Sequence, residues 1–568
     1  MKRTAVVLAA LVAVAAACAQ EPGTPAPVGN PPLSEPPRLV VVCAVDQLAK
    51  WVFAAAEPHL ADDGGFRRLL REGARFSQCA YEHACTETGP GHATIGTGVP
   101  ARVHGIVRNK WWVRDRRATT YCVDEVVAAL PDAPEGANRG PGSMVAPTLA
   151  AAMKKGVPGS RVASVAWKDR SAILMAGPQA DLVIWCESST GRFVTNSTWV
   201  DAMPAWLTEW NAGKPIDRFH GTVWERTGPD AAYAGLVDER PYETPHANGG
   251  GGRTLPQPMT GGIAAPGSAF YAQVYASPFG NTAVRLAAEA TVRGMELGAD
   301  AIPDLLCVGF SSTDVMGHVF GPESVEARDG LLRLDRDLAM FLQFLDAQVG
   351  AGKWAIWLTA DHGVGPTPEW EIEQGREGGR GLLQTMVGAV AEQAVGKRLG
   401  PPPSGRRFVS HVGEFSVYLD DDVLQAVRGD RELAEVRRDA ARAVAAAAVT
   451  RPGIAAAFAT EDLLAPDGAP DALRRSLVDG LFPGRAGEVQ FVVKPHWLDG
   501  ATPASHGTPH LYDREVVGIA RGGGAPPGAT IDEPCTPGFG VVWFSRLLGL
   551  PPPAHASDRV PPAFVGAR

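Results

Sequence analysis

Four apolar runs of six to eight residues recur along the chain, and each is soon followed by charged or imidazole side chains. They are Arg38–Val45 (RLVVVCAV), Arg161–Ala166 (RVASVA), Leu305–Phe310 (LLCVGF) and Trp354–Thr359 (WAIWLT). Continuous apolar runs this short suit strands buried on both faces of a parallel sheet. Between Asp329 and Val349 (DGLLRLDRDLAMFLQFLDAQV) the apolar positions fall at helical spacing instead. This alternation predicts an α/β fold: a doubly wound, mostly parallel sheet with helices on both faces. In such a sheet ligands gather beyond the carboxyl ends of the strands. A length of 568 residues exceeds one small core, so inserted subdomains are expected.

Composition excludes other classes. A hydrophobic content of 45% rules out a mainly disordered chain. The net charge of −9, with no broad basic face, argues against a nucleic-acid partner. Beyond the N-terminus no apolar run approaches the length of a membrane span. Lys2 and Arg3 precede an Ala/Val/Leu run ending near Ala17, which reads as a secretory signal peptide over 1–19 and predicts export to the periplasm, the outer membrane or the medium. Two cleavage readings stay open: a lipobox that makes Cys18 a lipid anchor, or an A-x-A site that removes it. Residues 20–37 read as a Pro-rich tether and 551–568 as a loose Pro-rich tail. The main domain spans 38–550, with about 110–290 as an insertion carrying Lys168 and Arg170. A second insertion, about 366–494, carries none of the candidate chemistry and includes the Ala-rich helix Asp439–Val449. Seven cysteines remain beside Cys18, without C-x-x-C spacing, and one or two bridges are permitted. Oligomeric state is not readable.

Ligand-type residues collect at the strand ends. Asp46 follows RLVVVCAV; Asp314 and His318 follow LLCVGFSST; Asp361 and His362 follow WAIWLTA; His506 lies in A-S-H-G-T-P-H before VVGIA. Carboxylates and imidazoles without thiolates suit a catalytic divalent-metal site, zinc first among the candidates. Singly, such an Asp is a helix cap and such a His a structural one; it is their grouping beside apolar strands that points to a cluster. Thr88 stands before Gly-Pro-Gly-His, with Pro90 in the expected first helical turn. A hydroxyl there can meet a metal ion while backbone N–H groups face an anion, or it can merely cap the helix. Asn109, in V-R-N, can donate its amide to a phosphoryl oxygen or fix a turn.

Together these residues resemble the alkaline phosphatase superfamily, in the bacterial branch related to nucleotide pyrophosphatases and phosphodiesterases. The motifs T-G-P-G-H-A-T, H-G-I-V-R-N, D-x-x-x-H, T-A-D-H-G and H-G-T-P occur in the family's order from Leu39 to about Ile519. The resemblance implies two zinc ions. Asp314, His318 and His506 would hold one; Asp46, Asp361, His362 and the Thr88 oxygen would hold the other. It also implies Thr88 as nucleophile, a phosphothreonine intermediate and a small-molecule phosphate ester as substrate. Lys168 and Arg170, in W-K-D-R, resemble the phosphate-binding pair of the monoesterases, where two cations neutralise a dianion. A phosphodiesterase or nucleotide pyrophosphatase on the same scaffold is the alternative, and a non-catalytic metal-binding surface protein a third reading. His83, His92 and His104 are expected to pack or cap. His510 stands where relatives usually carry Tyr and is not counted as a ligand.

Overall fold

Leu39–Val45 (β1) is buried at every position and is Val-rich, without Gly or Pro, as a central strand requires. The computed structural model describes residues 36–127, 130, 138–244, 251–468 and 470–564. The signal peptide, Cys18 and most of the tether lie outside them. The main sheet also contains Gly73–Phe76 (β2), Val162–Ala166 (β3), Leu182–Glu187 (β4), Arg192–Val194 (β5), Asp304–Phe310 (β6), Trp354–Thr359 (β7), Ile519–Arg521 (β8) and Ala529–Ile531 (β9). Its order is β9-β2-β8-β7-β1-β6-β3-β4-β5.

β1 pairs in parallel with β6 and β7, placing Leu39 between Asp304 and Trp354. β3 extends this parallel centre beside β6, and β4 follows it. Antiparallel pairing appears only further out, at β7–β8, β8–β2 and β4–β5. This is the mostly parallel α/β sheet expected from the alternating runs. Helices Thr88–Thr97, Asp169–Ala176, Pro278–Gly294 and Val325–Leu345 pack around it. The last begins four residues before the segment predicted, because Ser324 caps it by accepting from Ala327 N at 3.0 Å.

Residues 366–494 form a separate antiparallel sheet, ordered Val409–Gly413, Ser416–Leu419, Val489–Val493, Ile454–Ala459. Helices Leu383–Leu399 and Leu433–Ala448 cover it, burying Val387, Ala440 and Val444 with Val417 and Phe491. Two sequence expectations need correction. Lys168 and Arg170 follow β3, a strand of the main sheet, so 110–290 is not a single insertion. The tail is not loose where it is described: Phe564 is buried against Phe76, Phe539 and Trp543, and Asp558 accepts from Thr536 N at 2.8 Å. Cys43, Cys79, Cys85, Cys122, Cys186, Cys307 and Cys535 are all buried free thiols.

Candidate active site

β7, β1, β6 and β3 are consecutive neighbours in the sheet, so their carboxyl ends share one edge. That edge brings together Asp361 and His362, Asp46, Asp314, and Lys168 with Arg170. Asp46, Asp361 and His362 place ligand atoms within 4.8 Å of one another, as do Asp314, His362 and His506. His318 joins the second group, its Nε2 being 3.2 Å from Asp314 Oδ1. His362 therefore stands between the two groups rather than in one alone; its ring stacks on His506 at 3.6 Å.

Backbone carbonyls fix how the rings present themselves. His318 Nδ1 faces Ala504 O at 2.8 Å, His506 Nδ1 faces Thr86 O at 2.8 Å, and His362 Nδ1 faces Gly363 O at 2.9 Å. With Nδ1 donating, each Nε2 keeps its lone pair for the cluster, the usual posture of a ligating histidine. Both Asp46 oxygens, Asp361 Oδ2 and His362 Nε2 are buried without a hydrogen bond. Lys168 Nζ lies 2.7 Å from Asp46 Oδ2 and 2.6 Å from Asp314 Oδ2, the former an ion pair without hydrogen-bond geometry. Burial, then the nearby Asp361 charge, pushes the Asp46 carboxyl well above the usual range. Burial also opposes ionisation of Asp314 and Asp361. There the neighbouring groups win: His318 and Lys168 hold Asp314 low, and His362 and His92 hold Asp361 low. Two of the three carboxylates meet Lys168, and oxygen and imidazole atoms are left without hydrogen bonds. Such a donor set fits zinc and related divalent ions.

The Thr88–Thr97 helix delivers the hydroxyl, with Glu87 at its N-cap and every residue buried. Gly91 is required there, since a Cβ would stand 2.0 Å from Asp361 O. Thr88 Oγ1 accepts from Lys168 Nζ at 3.3 Å and from Arg170 Nη2 at 3.2 Å. Burial works against the Lys168 charge, but Asp314 and Asp46 hold its ammonium protonated. Asn109 Oδ1 accepts from Gly89 N at 2.7 Å, which leaves its Nδ2 as the end able to donate. Glu87 anchors this corner by accepting from Asn109 N at 2.7 Å and Arg108 Nη1 at 2.8 Å.

Three contributors were not legible in the sequence as site residues. Gln47, at φ +67°, donates from Nε2 to Asp314 Oδ1 at 2.7 Å and from its backbone to Asp361 Oδ1 at 3.1 Å. His92 packs as expected, with Nδ1 2.9 Å from Thr88 O, yet it also lies 3.2 Å from Asp361 Oδ2. Its spacing of four from Thr88 on a helix was the available signal. Tyr121 contacts Arg170 from a distant hairpin. His83, His104 and His510 are structural: His83 and His104 share Thr94 Oγ1, and His510 faces Val493 O at 2.9 Å.

Sheet order, strand-end ligands and a helix-borne threonine define the α/β fold of the alkaline phosphatases. The chain shares that fold with the crystal structure of wild-type alkaline phosphatase PafA, at a TM-score of 0.83 and 25% identity over 93% of this chain and 98% of that one. Residues 40–498 match the model of the type I phosphodiesterase/nucleotide pyrophosphatase family, and the chain belongs to that family. Among curated relatives, it is 27% identical to alkaline phosphatase PafA of Elizabethkingia meningoseptica over 87% of this chain and 88% of the relative. It is 28% identical to a protein of Myroides odoratus named a calcium-transporting ATPase, over 87% of this chain and 89% of that one.

Proposed function

We propose that this phosphatase is a zinc-dependent alkaline phosphatase that hydrolyses small phosphate monoesters through a phosphothreonine at Thr88. The observation that carries this reading is the convergence of Lys168 Nζ and Arg170 Nη2 on Thr88 Oγ1. A monoester dianion has one more anionic oxygen than a diester, and two cations beside the nucleophile suit it.

Asp314, His318 and His506 would hold one zinc ion; Asp46, Asp361 and His362, with Thr88 Oγ1, would hold the second. When bound, zinc favours the ionised hydroxyl and neutralises charge on the departing oxygen. Thr88 Oγ1 attacks phosphorus, the ester P–O bond breaks, and the leaving group departs with its oxygen. Arg170, Lys168 and the Asn109 amide bind the non-bridging oxygens, whose charge grows in the transition state. Water then attacks the phosphothreonine, the P–Oγ1 bond breaks, and phosphate leaves with the Thr88 hydroxyl restored. Export, by the N-terminal segment, with or without a lipid on Cys18, belongs to the same proposal.

Rapid acid quenching during turnover of an aryl phosphate tests it. Mass spectrometry should find the tryptic peptide containing Thr88 heavier by one phosphoryl group, with Thr88→Ala carrying none; phosphate on another residue would overturn the mechanism. The family match favours a second reading, a phosphodiesterase or nucleotide pyrophosphatase, in which the two cations would be dispensable. A transport role, suggested by the Myroides relative's name, has less support: among the described residues no helix is long and apolar enough to cross a membrane.

A further inference from the structure

Asn109 is followed at once by a hairpin whose strands, Lys110–Val113 and Ala118–Tyr121, pair so that Tyr121 lies opposite Lys110. The hairpin is closed at its base, Cys122 N donating to Asn109 O at 2.9 Å. One short element thus carries Asn109 at its start and Tyr121 at its end, while Arg170 arrives from β3. The two meet at the phenol. Arg170 Nη1 donates to Tyr121 Oη at 3.1 Å, and Tyr121 Oη donates to Asp169 Oδ1 at 2.6 Å.

The direction of these bonds matters. A phenol has a single proton, and here it is donated in the hydrogen bond to Asp169, so the oxygen presents lone pairs to the guanidinium. Asp169 is itself held: Oδ1 accepts from Arg170 N at 2.6 Å and Oδ2 from Arg139 Nε at 3.0 Å. Arg139 also stacks over the Tyr121 ring at 5.3 Å. Burial, together with the Asp169 charge, keeps the phenol protonated well above its ordinary range, against the opposing pull of Arg170. With Nη1 tied to Tyr121 and Nη2 on Thr88 Oγ1, Arg170 Nε is buried with no protein partner. The guanidinium is therefore oriented before any substrate arrives, as transition-state stabilisation by fixed donors requires.

We propose that Tyr121 is a positioning residue that sets Arg170 against Thr88 and so determines the preference for phosphate monoesters over diesters. This rests on the monoesterase reading of Arg170. Tyr121 acts only through Arg170, so its removal costs most where Arg170 meets an anionic oxygen. A diester carries an esterified oxygen in place of one such oxygen and loses little.

The test is a double-mutant cycle on metal-replete enzyme, with Tyr121→Phe, Arg170→Ala and the pair, assayed on an aryl phosphate and the matching aryl methyl phosphate. Tyr121→Phe is expected to lower monoester kcat/KM about tenfold and diester kcat/KM less than about twofold. On the Arg170→Ala background it should add less than about twofold for the monoester. Inhibition by inorganic phosphate should weaken in parallel with monoester kcat/KM. Asp169→Asn, which disturbs the same hydroxyl from the other side, should give a smaller loss of the same monoester-selective kind. Equal losses on both substrates, or an undiminished tenfold loss without Arg170, would overturn the role of Tyr121. If Arg170→Ala alone leaves monoester turnover unchanged, the failure lies in the monoesterase reading itself.

Discussion

At the Thr88 corner the protein supplies a partner for most of what it buries: Glu87 holds Arg108 and Asn109, and Asp169 and Tyr121 hold Arg170. At the neighbouring ligand cluster it does the reverse, leaving Asp46, Asp361 and His362 atoms buried without hydrogen bonds. The first arrangement is preorganised from within. The second suits positive charge from outside, since buried carboxyl oxygens and an imidazole nitrogen left without hydrogen bonds are costly. One region should therefore respond to substitution through catalysis and the other through metal content, and each prediction below probes that division.

The largest effect is expected from Thr88→Ala, which deletes the proposed nucleophile while leaving the ligand residues Asp46, Asp314, Asp361, His318, His362 and His506. Turnover should fall on the order of 10⁴-fold while metal analysis still finds bound zinc; wild-type turnover would break the account. Lys168→Ala with Arg170→Ala should lower monoester kcat/KM by about 10²–10³-fold, the scale of lost oxyanion donors, with a much smaller change for the diester.

Asp46→Asn sharpens the contrast because metal content and metal-free stability should respond differently. Metal content should fall and activity drop by at least about 10²-fold. Yet urea unfolding of the metal-free protein should show little change in stability, because burial already holds the Asp46 carboxyl neutral there and Lys168 keeps Asp314 as its partner. A metal-free variant markedly less stable than wild type would show that the cluster is satisfied internally after all.

The smallest effect concerns acid stability behind the nucleophile helix. Burial, then Arg514, lowers His83 to about 3, while the unfolded chain protonates it near pH 6.5. A histidine kept neutral in the native state destabilises as pH falls below 6.5, because the unfolded chain then binds the extra proton. Its contribution should shrink by about 1.4 kcal/mol per pH unit between 6.5 and 3. Unfolding midpoints of wild type and His83→Gln between pH 7 and 5 should therefore converge on acidification; a constant gap would contradict the assignment.

How much of this was legible in sequence follows from how each part is built. β1, β3, β6 and β7 announced themselves because central parallel strands are buried on both faces and so read as unbroken apolar runs. The outer strands β5, β8 and β9 span three residues each and give no periodicity to read. The proposed carboxylate and imidazole metal ligands other than His506 were visible because they stand just beyond those strands. Gln47 was not: it is one polar residue beside Asp46, and its contact with Asp314 lies 267 positions away. Tyr121 was hidden for the same reason, since its link to Asp169 is set by a hairpin fold-back rather than by local spacing. The 110–290 boundary fails because it encloses β3, whose apolar run is legible in the sequence but whose place beside β6 is not.

The most direct test of the central claim is kcat/KM for an aryl phosphate monoester against the matching diester, on zinc-loaded enzyme and on its Lys168→Ala/Arg170→Ala variant. The account predicts a monoester preference in the parent that collapses in the variant. A diester preference that survives both substitutions would contradict it and assign the chain the phosphodiesterase activity named in its family.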